Sequence, residues 1–140
     1  MKSVDFRFED IHTGDTASFE RIMTENDIQS FAQLSGDYNP LHMDQSYAAT
    51  TKFGKCIVHG MFLGALCSNL VGMYMPGKRC LYLKQTLLFK KPVYINDTVN
   101  IKGTVISKSD STKVLDIKIG IFCNGEEVVS GEALVQVMSQ

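Results

Sequence analysis

Residues 57–75 read IVHGMFLGALCSNLVGMYM, the most apolar run in the chain. A membrane-spanning helix needs about 20 predominantly apolar residues. This run approaches that length, but His59, Ser68, Asn69 and three glycines interrupt it. Its apolar character, nearly all round, predicts instead a helix buried in a soluble domain and closed by Pro76-Gly77. Gly60, Gly64, Ser68 and Gly72 recur every fourth residue, so small side chains form one stripe. A stripe of this kind admits a close neighbour, either a sheet or a ligand. For Gly64 and Gly72, packing on a sheet is the plainer reading.

Downstream the period changes to two. Leu81, Leu83, Leu87 and Phe89 share one face of 81–89, with Lys84 and Thr86 on the other. Val99, Ile101 and Val105 share a face of 99–105. Leu115, Ile117, Ile119 and Ile121 alternate with Asp116 and Lys118, and Val129, Ala133, Val135 and Val137 fall together in 127–137. These patterns predict half-buried antiparallel strands. The turn at 123–126, CNGE, tests the register. A two-residue turn on Asn124-Gly125 would set Ile117 against Glu132 on one face, against the pattern. A three-residue loop, Cys123-Asn124-Gly125 with Gly125 left-handed, pairs odd with odd positions and is expected, unless a bulge near Ser130-Gly131 corrects the register.

Upstream, Thr24 is a candidate N-cap with Asp27 closing a shortened capping box, and Met23 and Ile28 hold the staple positions. Ile28, Phe31, Ala32 and Ser35 follow at helical spacing, and Gly36 is placed to end the helix left-handed. Residues 4–22 read as short strands around the turn HTGD. The whole is an α+β chain: a long hydrophobic helix on a curved antiparallel sheet, preceded by a shorter helix.

The bulk numbers agree with one domain over residues 1–140. Hydrophobic residues make up 44% and charged residues 21%, enough for a core. With 14 basic and 15 acidic side chains and no basic block, nucleic-acid binding has no electrostatic footprint. Cys56, Cys67, Cys80 and Cys123 form no C-x-x-C pair, and the first residues show no apolar signal core. Reduced cysteines and a cytoplasmic location are therefore expected.

The chemistry-bearing stretch is SGDYNPLHMD, residues 35–44. Asp37 and His42 stand five residues apart across a turn stiffened by Pro40, which also biases Asn39 to an extended backbone. An acid–base pair needs such fixed geometry, and a largely apolar pocket is expected around it. VHG at 58–60 then opens the buried helix, whose first N–H groups are unpaired. Gly60 there lets a carbonyl oxygen approach closely. Carboxylate, imidazole and helix N-terminus together suit proton transfer beside a carbonyl, with the enolate stabilised. His59 most simply caps its own helix, and Tyr38 and Leu41 are most simply packing residues. Asp37, His42, Asp44 and His59 are metal-ligating types, but nothing in their spacing supports a site, and no metal is expected.

The run FAQLSGDYNPLHMDQSYAATTKFGKCIVHGM (residues 31–61) resembles the signature of MaoC-like, hotdog-fold (R)-specific enoyl-CoA hydratases, with G-D-x-N-P-x-H followed by [IV]-x-H-G. The resemblance extends through FKKPVYINDTV to the closing strands. It implies a single hotdog that dimerises through its sheet, with no cofactor. It implies reversible syn addition of water across a trans-2-enoyl thioester, on CoA or acyl carrier protein, giving the (R)-3-hydroxyacyl product. Asp37 and His42 match the catalytic dyad, Asn39 an asparagine that positions dyad or water, and Gly60 the glycine whose N–H binds the thioester oxygen. Ser68, Tyr38 and Lys84 are carried as candidate substrate-binding residues. Lys78, Arg79, Lys90 and Lys91, like Lys84, are candidates for phosphates, although solvated strand faces look the same. Two alternatives stand beside this reading, a hotdog acyl-CoA thioesterase and a non-catalytic acyl-thioester-binding subunit. Residues 57–75 contain no Asp or Glu, which counts against a thioesterase with its carboxylate on the central helix.

Overall fold

The computed structural model describes residues 1–139. Its strands are β1 (Thr16–Ile22), β2 (Cys80–Gln85), β3 (Leu88–Phe89), β4 (Thr98–Ser109), β5 (Val114–Cys123) and β6 (Glu126–Val137). The helices are α1 (Glu25–Ser35), α2 (Pro40–Met43), α3 (Gln45–Ala48) and α4 (Gly60–Asn69), the last running on into a π-turn, Leu70–Tyr74. The strands form an antiparallel sheet in the order β1-β4-β5-β6-β2, with β3 beside β6. The sheet is curved. The architecture is the α+β one that the sequence pattern predicts, in the form that the family resemblance implies.

The core lies between α4 and the sheet. The faces predicted from period two in 99–137 are the buried ones: Val99, Ile101, Val105, Leu115, Ile117, Ile119, Ile121, Val129, Ala133, Val135 and Val137. Leu63, Leu66, Cys67, Leu70 and Val71 pack against them from the helix. Each of the Val, Leu and Ile side chains contributes about 1.5–3 kcal/mol on burial. Gly103 interrupts the apolar face of β4 for a reason. A Cβ there would stand 2.7 Å from Leu70 Cδ2 and 3.2 Å from Ile117 Cγ2, so its absence admits the end of the helix.

α1 follows its sequence signals. Thr24 and Asp27 form the capping box, and Gly36 ends the helix at φ 80°. α4 begins later than predicted. Val58 N–H donates to Val93 O at 2.7 Å and Ile57 bridges Tyr94, so 57–59 are held extended and the helix starts only at Gly60.

Four expectations are corrected. Residues 4–15 form a 3₁₀ turn at Phe8–Asp10 and one isolated bridge, Asp5 to Gly77; only β1 is a strand there. The β5–β6 turn is the two-residue one, with Asn124 and Gly125 both at positive φ, 52° and 78°. Cys123 pairs Glu126 and Phe122 pairs Glu127, but Ile121 pairs Val129. Val128 is thus the extra residue of a bulge, and odd pairs with odd beyond it. The register is repaired by a bulge, nearer the turn than expected, because Asn-Gly takes the tight turn readily.

The predicted strand 81–89 is divided into β2 and β3, with a register shift between Tyr82 and Lys84. Most of its odd face lies outside the core: Leu81, Leu83 and Phe89 are exposed, Leu87 alone packs against the core, and Tyr82 is turned inward. Finally, Gly72 does not pack on the sheet. A Cβ there would meet nothing, and its carbonyl instead accepts Ser3 Oγ at 2.7 Å. Gly64 is closely approached, by the tip of Leu87.

Candidate active site

The segment after α1 is a chain of side-chain-to-backbone hydrogen bonds. Ser35 Oγ donates to Phe31 O at 2.7 Å and accepts from Asp37 N–H at 3.2 Å. Asp37 Oδ1 accepts from Asn39 N–H at 3.1 Å, and Asn39 Oδ1 accepts from Leu41 N–H at 2.9 Å. Asn39 is therefore the N-cap of α2, with Pro40 first in that helix. Asp44 Oδ1 caps α3 through Tyr47 N–H at 3.1 Å. Asn and Asp in these places fold the turn locally, and His42 is presented from within α2.

His42 is tied to the strand-like lead of α4. Its Nδ1 lies 2.8 Å from Ile57 O, and a carbonyl can only accept, so Nδ1 carries a proton, and in the neutral ring Nε2 keeps its lone pair. His59 crosses the other way: its Nε2 lies 3.0 Å from Asp37 O. The two imidazoles stack with centroids 4.1 Å apart, and Phe31 meets His59 edge-on at 4.9 Å. His59 makes no cap bond to its own helix, so the expected capping role is not the one observed. It is 1% exposed, its Nδ1 is buried without a partner, and burial pushes its pKa below the ordinary histidine value against the pull of the Asp37 carbonyl.

A carboxylate oxygen of Asp37 and one ring nitrogen each of His42 and His59 lie within 4.8 Å of one another. Asp44 stands outside this group, occupied as a cap. Asp37 and Asn39 are exposed in the single chain, in contrast to the apolar pocket expected around the carboxylate. The apolar walls lie instead beyond His42. A cavity of about 360 Å³ is lined by His42 and Gly60 together with Phe53, Ile57, Val58, Leu63, Phe89 and Val93, and bordered by Lys52, Lys90 and Lys91. Gly60 is first in α4, so its N–H has no intrahelical carbonyl. A Cβ on Gly60 would stand 3.0 Å from the Phe89 ring.

The other predicted residues fall elsewhere. Tyr38 is 59% exposed beside the turn and packs no core. Ser68 is exposed on α4 eight residues past Gly60, about 12 Å along the axis. Lys84 is exposed on β2 and is not on the cavity wall. Lys78 and Arg79 both meet Asp5. Lys90 and Lys91 do reach the rim, where Glu127 and Glu126 pair with them. Lys52 was not anticipated, because residues 49–56 carry no periodicity that orients a side chain.

A model of the MaoC like domain matches residues 9–121. The chain belongs to the MaoC-like domain family. The (R)-specific enoyl-CoA hydratase of Aeromonas caviae is 38% identical over 128 residues, 91% of this chain and 96% of that protein. The protein of the same name from Rhodospirillum rubrum is 40% identical over 130 residues, 93% of this chain and 90% of that one. Among solved structures, the unliganded R-hydratase PhaJ1 from Pseudomonas aeruginosa superposes with a TM-score of 0.92 at 35% identity, covering 97% of this chain and 88% of that one. Among the described residues of this MaoC-like chain, no helix is long and apolar enough to cross a membrane.

Proposed function

We propose that this MaoC-like chain, as one domain over 1–140, is an (R)-specific enoyl-thioester hydratase, a hydro-lyase that acts reversibly on trans-2-enoyl thioesters. One observation carries the reading. His42, with Nε2 free, and Gly60, with an unspent helix-first N–H, share one apolar cavity, and the Asp37 carboxylate is within 4.8 Å of the imidazole. Relatives over most of the chain bear the matching activity in their names.

The acyl part of the substrate lies against Phe53, Val58, Leu63 and Phe89, with its thioester oxygen at the Gly60 N–H. Water is held between Asp37 and His42. Its oxygen adds to C3 while His42 Nε2 takes one proton. Electron density moves to the thioester oxygen, where the Gly60 N–H and the helix end stabilise it. The imidazolium then returns a proton to C2 on the same face, so one water supplies both groups. Asn39 shapes the turn that holds the carboxylate. Lys52, Lys90 and Lys91 at the rim suit the phosphates of a CoA or acyl-carrier thioester, and no cofactor enters the reaction.

The chain is taken to act in the cytoplasm, and its exposed edge supports a homodimer joined through the sheet. Leu81, Leu83, Leu88 and Phe89 on β2 and β3 are between 46% and 61% exposed, an apolar edge that an isolated chain would leave open to association. The test of function is to mix the protein with crotonyl-CoA. Hydration lowers the enoyl-thioester absorbance without releasing thiol. Thiol release would mean a thioesterase, and no change a binding subunit.

A further inference from the structure

The dyad is braced by a buried histidine to which the hydration chemistry assigns no part. His59 is the one buried polar or charged side chain among the described residues. Its Nε2 reaches the backbone carbonyl of Asp37, twenty-two residues earlier, at 3.0 Å. Its ring lies on that of His42, centroids 4.1 Å apart and planes at 29°. It therefore touches both members of the dyad: one through the main chain, the other through a ring face. Phe31 packs on its remaining side.

We propose that His59 is a positioning residue: its Nε2–H fixes the Asp37 turn and its neutral ring sets the plane of His42. The proposal rests on the hydratase reading of the same site. Two facts require the ring to be neutral with the proton on Nε2. The Asp37 carbonyl can only accept, and Nδ1 is buried with no partner, so a proton there would be an unsatisfied buried donor. The contribution is geometric. A carboxylate on an exposed turn samples many positions, and a tie to a buried ring narrows them before substrate arrives. The loss on breaking it therefore appears in kcat and not in KM, since His59 is not on the cavity wall.

Two substitutions separate the two contacts. His59→Phe keeps an aromatic ring against His42 and Phe31 but cannot donate to Asp37 O. His59→Gln sets an amide N–H near the place of Nε2 and restores the donor. Steady-state hydration of crotonyl-CoA should give about a tenfold lower kcat for His59→Phe, the worth of one positioned hydrogen bond, with KM unchanged. His59→Gln should recover part of the loss, the remainder reporting the missing ring face on His42. Wild-type kcat in His59→Phe, or an equal loss in both variants, would overturn the proposal. Nitrogen-15 NMR of the wild-type imidazoles is the second measurement and does not depend on a variant folding. The Nε2–H tautomer of His59 at neutral pH is expected, and an Nδ1–H or charged ring would overturn it. An inactive wild type would instead remove the hydratase reading and leave the tautomer result standing.

Discussion

His42 and His59 stack face on face at 4.1 Å, and each ring bonds a carbonyl in the other's segment: His42 to Ile57 O, and His59 to Asp37 O. The turn 35–44 and the lead into α4 are locked by this exchange, which brings a carboxylate, an imidazole and a helix N-terminus together.

The lock has an acid-side signature. Burial holds the folded-state pKa of His59 below its ordinary 6.5. Below pH 6.5 the unfolded chain binds a proton that the folded chain resists. Stability is thus full above that pH and falls as pH drops toward the lowered value. Denaturant midpoints of the wild type should decline over this window, and His59→Gln should flatten that part of the decline. Equal slopes in the two proteins would mean that other groups carry the effect.

Asp37→Asn keeps an oxygen for the Asn39 N–H, so the turn survives and the melting temperature should not fall. As the carboxylate that holds the water beside His42, however, it is lost. Asp37→Asn and His42→Gln should each lower kcat by roughly 10²–10⁴-fold. The double variant should lose little more than the worse single one, because the two act as a unit. Near-normal activity per folded molecule in either variant would make the stretch a structural turn only.

Gly131→Ala tests packing away from the site. A Cβ on Gly131 would fall 1.9 Å from Thr86 O, in the join between β2 and β3, where backbone has little freedom to move. The expected cost is about 1–3 kcal/mol, as for other overpacked positions. Calorimetry should show a melting point lower by several degrees, and an unchanged value would mean that the join is looser than its geometry.

Much of this fold was legible in the chain because burial on one face of β4, β5 and β6 leaves a period-two record, and because Thr24, Asp27 and Gly36 mark α1 directly. Leu81, Leu83 and Phe89 misled, since an apolar stripe looks the same whether it faces the chain's own core or an open edge. Asn124-Gly125 misled because the register depended on a bulge at Val128, and adjacent valines announce no bulge. At the site, Asp37, His42 and Gly60 stood out from turn and helix-start chemistry and Asn39 from the family resemblance; the fold sets Asp37 beside His42, and His42 and Gly60 on one cavity. The partner of His59 was not, for the bond to Asp37 O spans twenty-two residues and exists only once the fold brings the segments together.

The apolar edge makes its own prediction. Leu83→Lys with Leu88→Lys should give a monomer by light scattering, and the wild type should give a dimer. A monomeric, fully active wild type would contradict the sheet-joined assembly.

Chiral analysis of the product formed from crotonyl-CoA and water tests the central claim most directly. Under the proposed function, one face of the double bond is presented to Asp37 and His42, and syn addition on that face should yield (R)-3-hydroxybutyryl-CoA alone, with no free thiol. Mainly the (S) product, or free CoA in its place, would contradict the account.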